Sequence, residues 1–365
     1  MDGNPYNQLI KQKPHLHKKG KTMKTLKLCF IGFGNVGQKV SALLLEKQDW
    51  LRETFDTDVI VTGIAGRSKG SLVDPAGLDL RESLSQVQTT GRFDPASPAA
   101  FEGTPEEMMA ASRADVLVEM STLSIRDGLP AADYIRYALR RGMHVITANK
   151  GPEAWYYKEL KELAEQAGRQ FLYETIVLDG TPTFNLMTET LHGNTISGIT
   201  GILNGTSNYV LKLLEEGKSY DEAIKAAQDI GLAEADPSMD IDGWDGAAKI
   251  CAMANILMDA SITPDDVEVE SVRSVTAEKL ADAKQRGMCI KYICRAEQTE
   301  DGVKVSVKPE ELPREHAYNS VNGTSAVFTL YTDLAGELTI IQTDPGLLQT
   351  AYGIYSDLIT LLKRI

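Results

Sequence analysis

Lys249 and the acidic residues before it are the residues of this sequence best suited to acid–base chemistry. Lys249 is the one charged residue in the run 246–258, where small and apolar residues predict a buried helix. Asp245 lies four residues earlier, on the same helix face. A buried, paired lysine has a pKa that its surroundings shift easily, which suits a general acid or base. The alternative is a surface ion pair, which the absence of a polar outer face disfavours.

The segment 231–245 places five acidic residues ahead of this helix. Carboxylates gathered in this way are suited to binding a substrate ammonium group, and we assign that role to Glu234, Asp240 and Asp245. Acidic residues before a helix also stabilise its N-terminus. A purely structural role is therefore the alternative for this cluster.

Lys150 follows a short apolar strand predicted at 144–148. Ligands bind at the carboxyl edge of an open α/β sheet, where a lysine can reach a substrate carboxylate or a reacting oxygen. A solvated lysine at the strand end fits the sequence equally well. The segment 201–209 combines a strand end, a glycine turn and a Thr/Ser helix cap. Its backbone and hydroxyls could line a polar pocket, but its spacing alone favours a structural role.

A glycine-rich loop joins the first predicted strand, 26–31, to the first predicted helix, from Val40 to about Trp50. Its first glycine permits a tight turn, the second lets the backbone approach a pyrophosphate, and the third lets helix and strand pack closely. The helix N-terminus offers free N–H groups to phosphates. An ordinary tight turn is the alternative. The predicted dinucleotide contacts are Gly32, Phe33, Gly34, Asn35, Val36 and Gly37.

The second predicted strand, 59–65, should end at the residue that reads the adenosine ribose. NAD sites usually carry Asp or Glu there, whereas this sequence continues with Arg67, Ser68 and Lys69. These residues could hold a 2′-phosphate, which favours NADP over NAD. A solvated basic loop is the alternative.

The order of predicted elements indicates two domains. Up to residue 180, strands alternate with helices, as in a parallel, doubly wound α/β sheet of the Rossmann type, with a turn-rich loop and short helical pieces at 66–114. Beyond it, helices are followed by alternating strands, which predicts an α+β domain with a mostly antiparallel sheet. The expected division is an extension at 1–22, an NAD(P)-binding domain at 23–180, a substrate domain at 181–342 and a C-terminal helix at 343–365.

The composition is that of a globular protein of ordinary type. The chain has 365 residues, enough for two cores. A formal net charge of -13 disfavours nucleic acid and anionic membranes as partners and leaves a small-molecule substrate as the default. The four cysteines lack zinc or redox spacing, so we expect reduced core residues in a cytoplasmic protein.

Taken in chain order, these motifs resemble those of homoserine dehydrogenase over about residues 24–365. The matching segments are the glycine loop, Thr-Ala-Asn-Lys-Gly-Pro at 147–152, Gly-Ile-Leu-Asn-Gly-Thr at 201–206, Gly-Leu-Ala-Glu-Ala-Asp-Pro at 231–237, and then Asp240, Asp245 and Lys249. The resemblance implies reversible, NAD(P)H-dependent reduction of L-aspartate 4-semialdehyde to L-homoserine. It also implies a homodimer formed through the sheet of the substrate domain, a C-terminal helix that returns to the nucleotide domain, and the short form of the family without a regulatory domain.

The resemblance further implies roles for individual residues. Lys249 would exchange the proton with the reacting oxygen, and Lys150 would assist beside the nicotinamide. The substrate contacts would be Glu234, Asp240, Asp245, Gly205 and Thr206, and further cofactor contacts would be Ser121, Thr122, Lys150, Gly231 and Gly346. Backbone oxygens of Glu174, Val177, Asp179 and Thr181 would hold a sodium or potassium ion. Asp179 and Thr181 depart here from the family's small or apolar residues.

Two other functions stay open at this point. A dehydrogenase of the same fold could act on another small amino or hydroxy aldehyde, and Asp179 is the residue that keeps this reading open. A non-catalytic NADP-binding sensor would share the scaffold, although the presence of both lysines argues for catalysis. A phosphorylating semialdehyde dehydrogenase would need an activated cysteine, and none of the four has such a setting.

Overall fold

The computed structural model describes residues 23–365, so the extension expected at 1–22 lies outside the described residues. Two sheets organise the chain, one of seven strands and one of six. Within the described part, no helix combines the length and the apolar character that crossing a membrane requires.

The first sheet lies in the N-terminal half of the chain. Its strands are β1 (Lys24–Ile31), β2 (Thr57–Gly66), β3 (Gly70–Val73), β4 (Ala100–Phe101), β5 (Val116–Glu119), β6 (His144–Thr147) and β7 (Phe171–Leu172). Their spatial order is β4-β3-β2-β1-β5-β6-β7. The five strands β2, β1, β5, β6 and β7 are parallel, which confirms the doubly wound α/β sheet.

The edge of this sheet differs from the prediction. Strands β3 and β4 pair antiparallel beside β2 and occupy part of the segment expected to be loop. They have only four and two residues, too few to show the alternation by which a strand is recognised. The helices of this half are α1 (Asn35–Phe55), α2 (Leu80–Thr90), α3 (Pro105–Ser112), α4 (Ala131–Arg140) and α5 (Lys150–Ala167). Helix α1 is longer than predicted at both ends.

The second sheet and its helices form the other half. The elements are α6 (Thr175–Leu178), α7 (Phe184–Thr190), β8 (Ile196–Ile202), α8 (Gly205–Glu215), α9 (Tyr220–Asp229), α10 (Ser238–Ile241), α11 (Trp244–Leu257), β9 (Glu268–Val269), α12 (Ala277–Gln285), β10 (Met288–Thr299), β11 (Gly302–Pro313), β12 (Ala326–Thr332), β13 (Glu337–Gln342) and α13 (Leu347–Arg364). The strand order is β13-β12-β8-β10-β11-β9. All pairs are antiparallel except β9 with β11, so the mostly antiparallel sheet is confirmed.

Helix α11 is the centre of the second core. Its apolar residues from Ala247 to Ala254 are fully buried, as the absence of a polar face predicts. The short helix α6 packs against it, with Val177 and Leu178 in the same core. Ala154 of α5 also belongs to this core, so the core includes residues well before 180. Helix α13 instead returns to the first core, where it packs on α1 through residues such as Ile354 and Leu358.

Candidate active site

The glycine loop forms one wall of a cleft of about 1030 Å³ at the carboxyl edge of the first sheet. Gly32 has φ +104, and a Cβ atom there would lie 2.1 Å from the carbonyl oxygen of Met120. Gly34 has open space above it, with nothing within 4 Å of a Cβ atom. Helix α1 begins without a side-chain cap, so its first N–H groups remain available to an anion. The loop therefore has the geometry of a phosphate cradle.

The two glycines should respond differently to alanine. Gly34→Ala fits the extended backbone there (φ -75), so we expect an unchanged melting temperature. Its new methyl group fills the open space above the loop, and the KM for the dinucleotide should rise at least about tenfold. Gly32→Ala should lose about 3 kcal/mol of unfolding free energy because the methyl group has no room. Thermal melts and cofactor KM values test the pair, and equal melting temperatures would contradict the account.

Most residues predicted to bind the cofactor line this cleft. The hairpin turn after β2 places Arg67, Ser68 and Lys69 in the wall of the cleft, and Arg67 is exposed there. The predicted residues in the cleft wall are Gly32, Phe33, Gly34, Asn35, Val36, Gly37, Arg67, Ser68, Lys69, Ser121 and Thr122. Lys150, Gly231 and Gly346, which were also predicted to bind the cofactor, lie outside this wall. The two glycines precede the acidic segment and α13, respectively.

A buried carboxylate connects the ends of β5 and β6. Glu119 is fully buried and accepts hydrogen bonds from the Ser121 amide at 2.8 Å and the Thr147 hydroxyl at 3.1 Å. Burial raises the pKa of Glu119, while these hydrogen bonds partly offset the effect. The turn that lines the cofactor cleft is thereby fixed beside the strand that leads to Lys150.

Lys150 and Lys249 meet at a single carboxylate. The Nζ atom of Lys150 lies 3.1 Å from Oδ1 of Asp245, and Nζ of Lys249 lies 3.3 Å from Oδ2. Lys249 also donates to the carbonyl oxygen of Leu203 at 2.6 Å. The side chains of Lys150, Asp245 and Lys249 are 15, 14 and 18 % exposed, so all three are largely but not completely buried.

Asn204 brings a second carboxylate into this centre. Its amide nitrogen donates to Asp240 at 2.7 Å and to Asp245 at 2.9 Å. Its amide oxygen accepts from the backbone N–H and the hydroxyl of Ser207, both at 2.8 Å, which fixes the orientation of the amide. The turn between β8 and α8 is therefore part of the site, rather than only a helix cap.

The charges of this centre shift each other's pKa values. Burial alone would raise the pKa of Asp245, but the two ammonium groups and the Asn204 amide hold it well below its usual range. Burial alone would lower the pKa of Lys249, but the carboxylates of Asp245 and Asp179 outweigh it, so the pKa is raised. The pKa of Asp240 is raised by burial and by the neighbouring Asp245. Lys249 is consequently protonated at neutral pH.

The remaining residues predicted to bind the substrate do not all lie at this centre. Thr206 is buried, and its hydroxyl donates to the Leu232 carbonyl at 3.1 Å, which ties α8 to the acidic segment. Gly205 packs against the backbone near Gly323. Glu234 is exposed on its loop, and its carbonyl, rather than its carboxylate, accepts a bond from Gln228. The described structure thus groups Asp240 and Asp245 but leaves Glu234 apart.

The positions expected to hold a cation follow β7, around α6. The Glu174 carboxylate is already occupied, since it accepts from the backbone N–H groups of Thr183, Phe184 and Asn185. The Asp179 carboxylate accepts from Thr350 at 2.7 Å. The Thr181 hydroxyl is buried without a partner among the described residues. An ion here would have to rest on main-chain oxygens, as the resemblance implies for Glu174, Val177, Asp179 and Thr181.

Three residues of the site were not identified from the sequence: Leu203, Asn204 and Glu119. Leu203 acts through its carbonyl oxygen, for which side-chain chemistry gives no signal. Asn204 precedes a Thr/Ser helix start, and that pattern predicts a cap but not a bridge between carboxylates. Glu119 did carry a signal, because a charged residue at the end of an apolar strand must find partners when it is buried.

Comparison with known proteins identifies one family that the chain resembles over most of its length. Family models described as "Homoserine dehydrogenase, NAD binding domain" and "Homoserine dehydrogenase" match residues 32–174 and 182–359. The homoserine dehydrogenase of Methanocaldococcus jannaschii is 38% identical over 91% of this chain and 97% of its own. An NAD(+)-dependent homoserine dehydrogenase of Pseudomonas canavaninivorans is 34% identical over 92% of this chain and 96% of its own.

A solved structure extends the likeness to three dimensions. A hyperthermophilic archaeal homoserine dehydrogenase in complex with NADPH is 27% identical and superimposes with a TM-score of 0.80, covering 93% of this chain and 98% of its own. The two family models together match residues 32–174 and 182–359, ranges that contain Lys150, Asp245 and Lys249. The chain therefore belongs to the homoserine dehydrogenase family of NAD(P)-dependent oxidoreductases.

Proposed function

We propose that this chain interconverts L-aspartate 4-semialdehyde and L-homoserine, with Lys249 as general acid and base. The nicotinamide, when bound, gives or takes the hydride. The observation that carries the proposal is the pair of largely buried lysines on Asp245. Lys150 precedes Gly151, where a Cβ atom would lie 2.7 Å from the carbonyl oxygen of Ser124 in the cleft wall. In the reductive direction the aldehyde oxygen gains negative charge, and an ammonium group can stabilise that charge and then donate a proton.

Each protonation state of Lys249 serves one direction of the reaction. Its raised pKa keeps it protonated at neutral pH, which is the form needed to reduce the aldehyde. Oxidation of homoserine needs the neutral amine to accept the hydroxyl proton, so its rate should rise with pH. Lys150, which shares Asp245, would orient the same oxygen or the substrate carboxylate. The pH dependence of the rate in each direction tests this assignment: oxidation should become faster as pH rises, and reduction should become slower.

The substrate ammonium needs carboxylates, and we assign it to Asp245 and Asp240. Asn204 holds these two side chains within reach of one ligand. Glu234 would join them only if its exposed loop moves towards the site on binding. Gly205 and Thr206 would shape the substrate pocket through the turn that carries Asn204. Gly231 and Gly346 would contact the cofactor after the same movement of the Glu234 loop towards the site. We place the cation on main-chain oxygens only and assign it no chemical step.

We propose NADP as the preferred cofactor because no carboxylate follows β2. Arg67 and Lys69 line the cleft at this end and could pair with a 2′-phosphate. Charged hydrogen bonds contribute about 2 kcal/mol, or about 30-fold in affinity. The double variant Arg67→Ala/Lys69→Ala should raise the KM for NADP by about this factor and leave the KM for NAD nearly unchanged. Equal losses with both cofactors would contradict the assignment.

A homodimer in the cytoplasm is the assembly and location that we propose. Strand β13 is an edge of the second sheet, and its Ile341 is 44% exposed, which suits pairing with a second copy. All four cysteines are free thiols, as expected in a reducing compartment. We retain the division into domains at 23–180 and 181–342, with 343–365 as the returning helix. A monomeric mass in sedimentation equilibrium would contradict the dimer.

The competing enzyme classes are less well supported by the site. Burial raises the pKa of Cys29 and of Cys294 to about 12, so neither is a ready nucleophile for a phosphorylating semialdehyde dehydrogenase. A sensor would not need two lysines on one carboxylate. Steady-state assays with aspartate semialdehyde and with related aldehydes test the substrate. Turnover of other aldehydes alone would favour the alternative dehydrogenase.

A further inference from the structure

We propose that Trp155 is a positioning residue for cofactor binding. Its indole N–H holds the turn at residues 121–125 (the cofactor turn) against α5, the helix that carries Lys150. The inference rests on the proposed function and deepens one part of it, the binding of the dinucleotide. Trp155 lies five residues beyond Lys150 on α5 and is not itself part of the cleft wall.

One direct hydrogen bond joins Trp155 to the cofactor turn. The indole Nε1 atom donates to the carbonyl oxygen of Ile125 at 2.7 Å, across 30 residues of chain. Trp155 is half-buried, so this bond is partly shielded from water. The residues immediately before Ile125, at 121–124, all line the cofactor cleft. The indole therefore holds the end of the cleft wall without contributing to its surface.

The cofactor turn also packs closely on the first turn of α5. A Cβ atom on Gly151 would lie 2.7 Å from the carbonyl oxygen of Ser124, and one on Gly128 would lie 2.8 Å from that of Gly151. These backbone contacts limit how near the turn can come, but they do not attract it. Among the described residues, the bond from Trp155 is the one hydrogen bond that joins α5 to the cofactor turn.

Packing on the second core fixes the position of the indole. Trp155 and Ile125 both pack against the core around α11. Together with Trp244, which immediately precedes Asp245, they line a cavity of about 260 Å³. The Trp155 ring thus lies between the cofactor turn and the helix that carries Lys249. A donor held in this way by packing loses little conformational freedom when it forms its bond.

An ordinary core tryptophan is the alternative, since a buried indole N–H usually finds a partner. The two explanations differ in what the loss of the N–H changes. If the bond only satisfies the indole, its removal lowers the free energy of unfolding and leaves cofactor affinity as it was. If the bond positions the turn, the freed turn must be ordered again when the dinucleotide binds, and this ordering weakens binding through its entropy.

Trp155→Phe separates these explanations, because it keeps an aromatic ring on the core and removes the N–H. We expect the Kd for NADPH, measured by titration calorimetry on the full chain, to rise about fivefold, the value of one net hydrogen bond. The loss should lie in a less favourable binding entropy. In steady-state assays the KM for the dinucleotide should rise by the same factor, a larger change than in kcat or in the KM for homoserine.

Trp50→Phe is the matched control, since it makes the same chemical change elsewhere. Trp50 is 44% exposed near the end of α1, packs on the rings of Phe55 and Tyr355, and donates no hydrogen bond from its indole within residues 23–365. It should keep the wild-type Kd. Amide hydrogen exchange gives a second readout: residues 121–128 should exchange faster in free Trp155→Phe than in the wild type or in Trp50→Phe, and NADPH should remove the difference.

An unchanged Kd for NADPH in Trp155→Phe would overturn the inference, as would an equal rise in Trp50→Phe or unchanged exchange of the cofactor turn. The binding measurement needs no turnover, so its result is independent of the proposed reaction. A wild type that binds NADPH but does not oxidise homoserine would refute the proposed function, and the comparison of Kd values would still decide the role of Trp155.

Discussion

Replacing Lys249 by methionine should lower kcat about 10³-fold in both directions at the pH optimum of the wild type. The variant keeps the length and apolar stem of the side chain but removes the group that exchanges a proton with the substrate oxygen. Asp245 keeps its contacts with Lys150 and Asn204, so the fold should persist. Stopped assays with high enzyme concentration would measure the residual rate.

Two lysine variants make the result specific. Lys249→Arg retains a positive charge but cannot deprotonate at ordinary pH, so homoserine oxidation should be lost nearly as completely. Lys225→Met is the control, since this lysine is 72% exposed and pairs with Asp229 on the surface. It should behave as wild type. Activity of Lys249→Met within about tenfold of wild type would exclude Lys249 as the acid and base.

Asp245→Asn should reduce both turnover and stability. The substitution leaves two largely buried ammonium groups without their shared counter-ion, and breaking such a pair costs about 3 kcal/mol of unfolding free energy. We expect kcat to fall at least about 100-fold, because Lys249 loses its orientation and its charge support. Urea unfolding at pH 7, combined with steady-state kinetics, measures both effects.

The loss of stability should depend on pH with a defined sign. The pKa of Asp245 is lowered in the folded state, so its stabilisation is complete above its unfolded pKa of about 3.9 and is lost as pH falls through the folded value. The difference between wild type and Asp245→Asn should therefore shrink below about pH 4. Asp229→Asn, an exposed surface acid, should change stability by less than about 0.5 kcal/mol. A similar loss in both variants would contradict the central role of Asp245.

The parts of the fold that could be predicted from sequence depend on local spacing. The glycine loop can be predicted because its three glycines stand between a strand and a helix. Gly32 has the positive φ and Gly34 the open space that this pattern requires. The pairing of Asp245 with Lys249 follows from a separation of four residues in a helix. Such relations join residues that are close in sequence, so they can be predicted without knowledge of the tertiary structure.

The parts that could not be predicted depend on contacts between distant elements. Asn204 reaches Asp240 and Asp245 across 36 and 41 residues of chain, and no periodicity encodes that meeting. Thr350 meets Asp179 across 171 residues. The exposed position of Glu234 could not be predicted either, because an acidic loop has the same composition whether it faces the substrate or the solvent.

Oxidation of L-homoserine by the full chain, followed separately with NADP and with NAD as a function of pH, tests the account most directly. We predict turnover that rises with pH as Lys249 loses its proton, with a higher kcat/KM for NADP than for NAD. Absence of homoserine oxidation with either cofactor at every pH, by a protein that is folded and binds the dinucleotide, would contradict it.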